Sequence, residues 1–226
     1  YGAGARHLRL HQVTRVAFFD LDGTLTDPKP GICGSAQFAL REMGLPVPPQ
    51  EELEWLIGPP MIESMRKLAG ERAEEGLRLY RQRYGETGLF ENRVYDGIPE
   101  LLQQLRDGDW RLMVATSKAE PYAIRIVEHF GLGGFFDRVY GAGLDGSLMH
   151  KDELLSFALE DSRVAPARAA MIGDRKFDVL GAGANGLRTI GVLWGYGGRA
   201  ELEEAGAASI VSSPREVEGA LCALIA

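Results

Sequence analysis

Cysteine is nearly absent from this chain of 226 residues: Cys33 and Cys222 lie far apart with no paired spacing, which argues against a disulfide framework and a cysteine-built zinc site. Both are read as unpaired thiols, and reducing surroundings suit them. No run approaches the ~20 apolar residues of a membrane span. The N-terminal YGAGARHLRLHQ also lacks the apolar stretch of a secretory signal. A soluble, cytoplasmic protein with no membrane partner is therefore expected. An excess of positive charge is missing too. The net charge of -7 leaves no broad footprint for a nucleic acid polymer, although a local basic pocket for a small anion stays open. Histidine is sparse: His7, His11, His129 and His150 read as surface residues, with His150 beside a candidate site lysine. There is no internal repeat or low-complexity tract, and no feature that specifies an oligomeric state.

What is present is ordinary globular material, 45% hydrophobic and 25% charged. Apolar segments of strand length recur at VAFF (16–19), RLMVA (111–115), RVYGA (138–142), AAMIG (169–173) and TIGVL (189–193). Helical spacing fills the gaps, as in IPELLQQLR (98–106), YAIRIVEHF (122–130) and ELLSFALE (153–160). Alternating strand and helix predict an α/β fold, a Rossmann-like parallel sheet covered on both faces. The gap from Asp27 to Arg111 is too long for one crossover and reads as helices at 32–44, 51–58, 60–70 and 73–85, punctuated by prolines. Residues 29–94 are thus expected to be an inserted helical domain on a core made of 1–28 and 95–226.

Within FFDLDGTLTD (18–27), Asp20 and Asp22 follow the first strand. Alone, DxDG fits a simple turn. An EF-hand loop is excluded, because Leu25 stands where that loop needs glycine. In GDRKFD (173–178), Asp174 and Asp178 are four apart and would share a helical face if a helix begins there; Asp174 alone also suits a helix N-cap. Converging carboxylates repel, by about 4 kcal/mol for two charges ~4 Å apart at an effective dielectric of 20, so a cation is called for. Hard oxygen ligands favour Mg²⁺. Thr116, Ser117 and Lys118 follow another strand, where hydroxyls and free N–H groups before a helix would seat a phosphoryl group or merely cap that helix. Lys151 opens a helix, either as a partner of these anions or as a solvated surface lysine.

The order DxDGT, Thr/Ser, Lys, GDxxxD, each at or soon after a strand, resembles the haloacid dehalogenase superfamily of phosphohydrolases, and the resemblance covers nearly the whole chain. Residues 29–94 look like its helical cap. FDLDGTLTDPKPGI, IGPP (57–60), LFENRVYDGIPELL (89–102), LDGSLMHK (144–151) and GDRKFDVLGAGANGLRTIGVLWGYG (173–197) are similar to the phosphoglycolate phosphatase and bacterial 5′-nucleotidase-like branch. The resemblance implies a Mg²⁺-dependent hydrolase of a small phosphate monoester. In it Asp20 is the nucleophile that forms an aspartyl-phosphate and Asp22 the acid and base. Thr116 and Lys151 hold the phosphoryl group, while Gly23, Thr24 and Ser117 complete its binding loop. Asp20, Asp22 (through its backbone carbonyl), Asp174 and Asp178 serve the metal. Specificity is expected from the insert, with Trp55, Ile57 and Arg66 as its first candidates.

Two other classes share parts of this pattern. GAGLDG (141–146) and GAGANG (181–186) match the GxGxxG of an NAD-dependent dehydrogenase. Neither puts a helix N-terminus at its glycines. A phospho-accepting, Mg²⁺-binding signalling domain gathers similar groups, but it has no use for a long helical insert or for an acid two residues beyond its phosphorylated aspartate.

Overall fold

The computed structural model describes residues 15–225; the readings of His7, His11 and the first twelve residues lie outside them. Six strands form one parallel sheet: β1 (Arg15–Phe19), β4 (Trp110–Ala119), β5 (Arg138–Ala142), β6 (Ala169–Gly173), β7 (Arg188–Val192) and β8 (Ser209–Val211). Their order across the sheet is β5-β4-β1-β6-β7-β8. Alternate residues of β1 enter opposite layers. Val16 and Phe18 pack with Met113, Met171, Leu154 and Ala182, whereas Ala17 and Phe19 pack with Leu112, Ile172, Leu105 and Ile126. The first layer is covered by α6 (Lys151–Ser162) and α7 (Lys176–Ala184), the second by α4 (Ile98–Asp107), α5 (Glu120–His129) and α9 (Val217–Leu224). Burial on both faces is why these strands are continuous apolar runs rather than alternating ones.

The chain leaves the sheet through β2 (Thr26–Asp27) and returns through β3 (Arg93–Val94), which pair antiparallel, Asp27 opposite Arg93. Between them lie α1 (Lys29–Glu42), a 3₁₀ helix (Gln50–Leu56), α2 (Met61–Ala69), α3 (Ala73–Arg83) and a π-helical turn (Tyr84–Gly88). Leu53, Leu56, Met65, Leu77 and Tyr80 of this segment join the apolar cluster on the Phe19 face of the sheet, so insert and core are packed together. Among the described residues no helix is long and apolar enough to cross a membrane.

Three local expectations are corrected. The second predicted strand does not stop at Ala115 but runs to Ala119, and Ala119 is the N-cap of α5. Thr116 and Ser117 are therefore the end of a strand, not a helix N-terminus. α7 starts at Lys176, after Asp174, so Asp174 and Asp178 do not share a helical face; the turn between strand and helix brings them together. The strand β8, short and half-buried, was not foreseen, because Ser209–Val211 is too brief to show a period. GAGLDG runs on from the end of β5 with eight residues from Gly143 to His150 before α6, and GAGANG lies at the end of α7. Neither is a dinucleotide turn.

Candidate active site

The switch in strand order lies at β1, whose neighbours β4 and β6 are reached by connections running to opposite sides of the sheet. Loops there part and leave a crevice at the carboxyl ends of the strands. Asp20 and Asp22 follow β1, Thr116 lies near the carboxyl end of β4, and Asp174 follows β6. All four are buried, as is Lys151 at the start of α6.

Oxygens of Asp20, Asp174 and Asp178 lie within 4.8 Å of one another. Lys151 Nζ is 3.1 Å from Asp20 Oδ1 and 2.8 Å from Asp178 Oδ1, and it donates to the Ala115 carbonyl at 2.9 Å. Asp178 Oδ2 accepts from the Arg175 amide at 3.1 Å. Asp174 takes hydrogen bonds from Thr24 Oγ1 (3.3 Å) and the Tyr196 amide (2.7 Å), and among the described residues no cation pairs with it. Asp22 Oδ2 forms an ion pair with Lys118 Nζ at 2.8 Å, while its Oδ1 is buried with no hydrogen-bond partner among the described residues. The surface-lysine reading of Lys151 is overturned: its side chain is 4% exposed.

One lysine cannot neutralise three carboxylates. Burial, then repulsion from Asp178 and Asp20, holds the Asp174 carboxyl well above its usual range. Burial raises Asp178 as well, even against the opposing pull of Lys151. Burial alone would lower Lys151, but Asp178 and Asp20 outweigh it and keep the ammonium raised. Burial raises Asp22, and Lys118 opposes it. With all four ionised, Asp20, Asp22, Asp174 and Asp178 against Lys118 and Lys151 would leave two negative charges uncompensated at a buried site. That deficit, with hard oxygens gathered around it, fits a small divalent cation held by Asp20, Asp174 and Asp178.

Above the carboxylates is a cavity of about 330 Å³ between core and insert. Its floor holds Asp20, Asp22, Thr116, Ser117 and Lys118. Its walls include Leu56, Gly58, Pro59 and Pro60, the first turn of α2 (Met61, Ile62), Tyr80, Tyr84, Tyr122 and the cations Arg66 and Arg81. Gly23 and Thr24 are not among the lining residues. The backbone at Gly23 has φ +84°, and a Cβ there would sit 2.3 Å from Asp174 Oδ2, so only glycine lets the turn pass this close. Thr24, fully buried, bonds to Asp174. Both support the carboxylate rather than face the cavity. Trp55 and Ile57 do not line it either: Trp55 lies under Lys67, and the Ile57 carbonyl accepts from Arg175. Exposed His150 caps α6 with Nε2 4.0 Å from Glu63, and it is not a lining residue.

Sequence reasoning missed three residues here. Lys118 was passed over as part of TSK, although its place directly after the strand-end hydroxyls was the available signal. Tyr196 links Asp174, through its amide, to Asp27 at the root of the insert, through its hydroxyl. Trp194 Nε1 donates to the Thr24 carbonyl at 2.9 Å. Nothing in the local pattern of WGYGG marks these last two.

A family profile described as haloacid dehalogenase-like hydrolase matches residues 17–192. A 5′-nucleotidase of Pseudomonas aeruginosa is 46% identical over 187 residues, covering 81% of this chain and 85% of that one. The tyrosine-protein kinase PtkA of Mycobacterium tuberculosis is 43% identical over 205 residues, covering 90% of this chain and 70% of that one. A phosphoglycolate phosphatase of Aquifex aeolicus is 28% identical over 183 residues, 80% of this chain and 86% of that one. The crystal structure of a predicted phosphatase from Clostridium acetobutylicum superposes with a TM-score of 0.89 at 39% identity, covering 93% of this chain and 99% of that one.

Proposed function

The chain belongs to the haloacid dehalogenase-like hydrolases and is a phosphoric monoester hydrolase, and from that premise we propose that it cleaves a small phosphorylated metabolite through a covalent phosphate on Asp20. Asp20 Oδ1 is occupied by the Leu21 amide (2.8 Å) and Lys151 (3.1 Å), which orients the carboxylate and leaves Oδ2 to attack phosphorus. The single observation that carries the reading is the place of Asp22, a second carboxylate on the cavity floor two residues beyond Asp20. From there it can protonate the leaving oxygen and then take a proton from water. Thr116 and Ser117 face the phosphoryl oxygens from the end of β4, and Lys151 answers the charge on Asp20 from below. Mg²⁺, held by Asp20, Asp174 and Asp178 with the Asp22 carbonyl, would offset the charge of the phosphoryl group.

We assign residues 29–94 to a cap and 1–28 with 95–226 to the catalytic core; the β2–β3 pair joins them. The cap walls the part of the cavity that a leaving group would fill. A volume of about 330 Å³ is at the lower end of ligand pockets, roughly 300–1,000 Å³. It is roomy for phosphoglycolate and sufficient for a nucleoside monophosphate. The tyrosines of the wall and the P. aeruginosa relative favour the nucleotide.

A panel of phosphate monoesters with Mg²⁺, followed as inorganic phosphate released, tests this directly. Wild type should turn over with a nucleoside monophosphate among its best substrates. Asp20→Asn should neither turn over nor take up label, whereas Asp22→Asn should accumulate phosphoryl mass from a good leaving group. Activity retained in Asp20→Asn would refute the covalent route. Label passed to a protein tyrosine, with no phosphate released, would replace water by the acceptor that the name of the M. tuberculosis relative implies.

A further inference from the structure

The Asp22 carboxylate has two oxygens in unlike surroundings, and a residue with no role in the reaction above makes the difference. Oδ2 is 2.8 Å from Lys118 Nζ, and Oδ1 is buried and unpartnered among the described residues. Lys118 is itself enclosed, with its side chain 6% exposed. A buried ammonium needs its donors matched. One points to Asp22, and a second goes to the Tyr84 hydroxyl, with Nζ 4.5 Å from that ring's centroid. Tyr84 comes from the insert, in the π-helical turn Tyr84–Gly88 that follows α3. It cannot drift, because Tyr80 stacks on it (5.2 Å, 11°) and Tyr122 of α5 meets it edge-on (5.7 Å, 69°). The chain Tyr84–Lys118–Asp22 therefore ties a rigid point of the insert to one oxygen of the carboxylate.

We propose that Lys118 is a positioning residue for Asp22, held in place by Tyr84: by pairing with Oδ2 it fixes the orientation of the carboxylate, so that the insert contributes to proton transfer as well as to specificity. The inference rests on the acid and base role of Asp22. Without the lysine, a carboxylate on a single-bond pivot has two equivalent oxygens and no fixed direction. A proton donor must lie within hydrogen-bond reach of the atom it serves, about 2.6–3.2 Å. Loss of orientation therefore falls on the steps that move a proton, not on substrate binding.

The experiment compares Lys118→Met, Tyr84→Phe and Asp22→Asn on two substrates, a nitrophenyl phosphate whose leaving group needs no proton and an alkyl phosphate whose leaving group does. Thermal unfolding of each variant confirms folding. Lys118→Met should lower kcat on the alkyl phosphate by about 100-fold, the lower range for general acid catalysis, with KM within about threefold. It should also accumulate phosphoryl mass from nitrophenyl phosphate, since water attack needs the base. Tyr84→Phe, which keeps the stacked ring, should shift the same ratio of substrates by about three- to tenfold. A raised KM at unchanged kcat would make Lys118 a substrate ligand and overturn the proposal. So would equal losses on both substrates, or none, in the single-turnover rate of enzyme phosphorylation, the step that releases the leaving group. If that rate in Asp22→Asn shows no dependence on leaving group, the acid and base reading itself fails. If it does and Lys118→Met does not, only the positioning role fails. Should Lys118→Met not fold, the Tyr84→Phe ratio decides.

Discussion

Asp174→Asn should make the metal-free protein more stable while destroying its response to Mg²⁺. Asp174 is fully buried, has no cationic partner among the described residues, and lies with its oxygens within 4.8 Å of those of Asp20 and Asp178. Two charges at about 5 Å and an effective dielectric of 20 repel by roughly 3 kcal/mol, and Lys151 already offsets part of this. Relief of about 1–2 kcal/mol is therefore expected. The amide suits the pocket: its oxygen can accept from the Tyr196 amide and its nitrogen can donate to Thr24 Oγ1, in place of the bonds Asp174 makes now. For a protein of this size each kcal/mol moves Tm by about 2–4 °C, so in chelator the variant should melt roughly 2–8 °C above wild type. With Mg²⁺ at 100 times its Kd, wild type should gain about 2.7 kcal/mol and the variant much less, so that the order is reversed. Calorimetric melting in chelator and in Mg²⁺ reads this crossing without reference to activity. A variant less stable than wild type in both conditions would refute the argument, for Asp174 would then be a satisfied hydrogen-bond acceptor rather than a strained charge.

Arg66 and Arg81 are the arginines on the insert's side of the cavity wall, so their replacement by Ala should change relative kcat/KM among natural substrates by roughly tenfold, about 1.4 kcal/mol, while a small aryl phosphate changes little; equal losses on every substrate would show that the insert does not select. Trp55→Phe, off the lining, should leave that ratio unchanged. Exhaustive chelation should abolish phosphate release, and full activity in chelator would remove the metal from the scheme. Burial works against ionised Asp137, but hydrogen bonds from Arg111 and Arg106 outweigh it and hold its carboxyl below the usual range. Its contribution is thus present above the unfolded pKa, about 3.9, and is lost as pH falls through the lower folded value. Both arginines are more than a third exposed, so Asp137→Asn should cost only about 1 kcal/mol at pH 7. Urea titrations at pH 7 and near pH 3 should show that cost shrinking; a constant cost would exclude the ion pairs as its source.

The sequence by itself determined the elements and the chemistry they carry. AAMIG and RVYGA are strands residue for residue; AAMIG is buried throughout, as a strand covered on both faces is, whereas RVYGA, at the sheet edge, leaves Arg138 exposed. DLDGT and GDRKFD announced acidic groups at strand ends; each alone also fits a turn or a helix cap, and only their occurrence together marks a site. Only the tertiary structure decided what those groups meet. That Asp174 has no cationic partner among the described residues while Asp20 and Asp178 share Lys151 depends on β1 lying between β4 and β6, a long-range order with no local signature. Lys118 shows the same limit. It stands two residues beyond Thr116 in sequence, yet its partners are Asp22, which follows the neighbouring strand β1, and Tyr84, brought to it by the insert folding back over the sheet. Arg66 was legible as a cation, but that it lines the cavity while Trp55 and Ile57 do not follows from how α2 packs against α3. Side-chain chemistry is local and can be read along the chain; burial and pairing depend on which distant segments close around it.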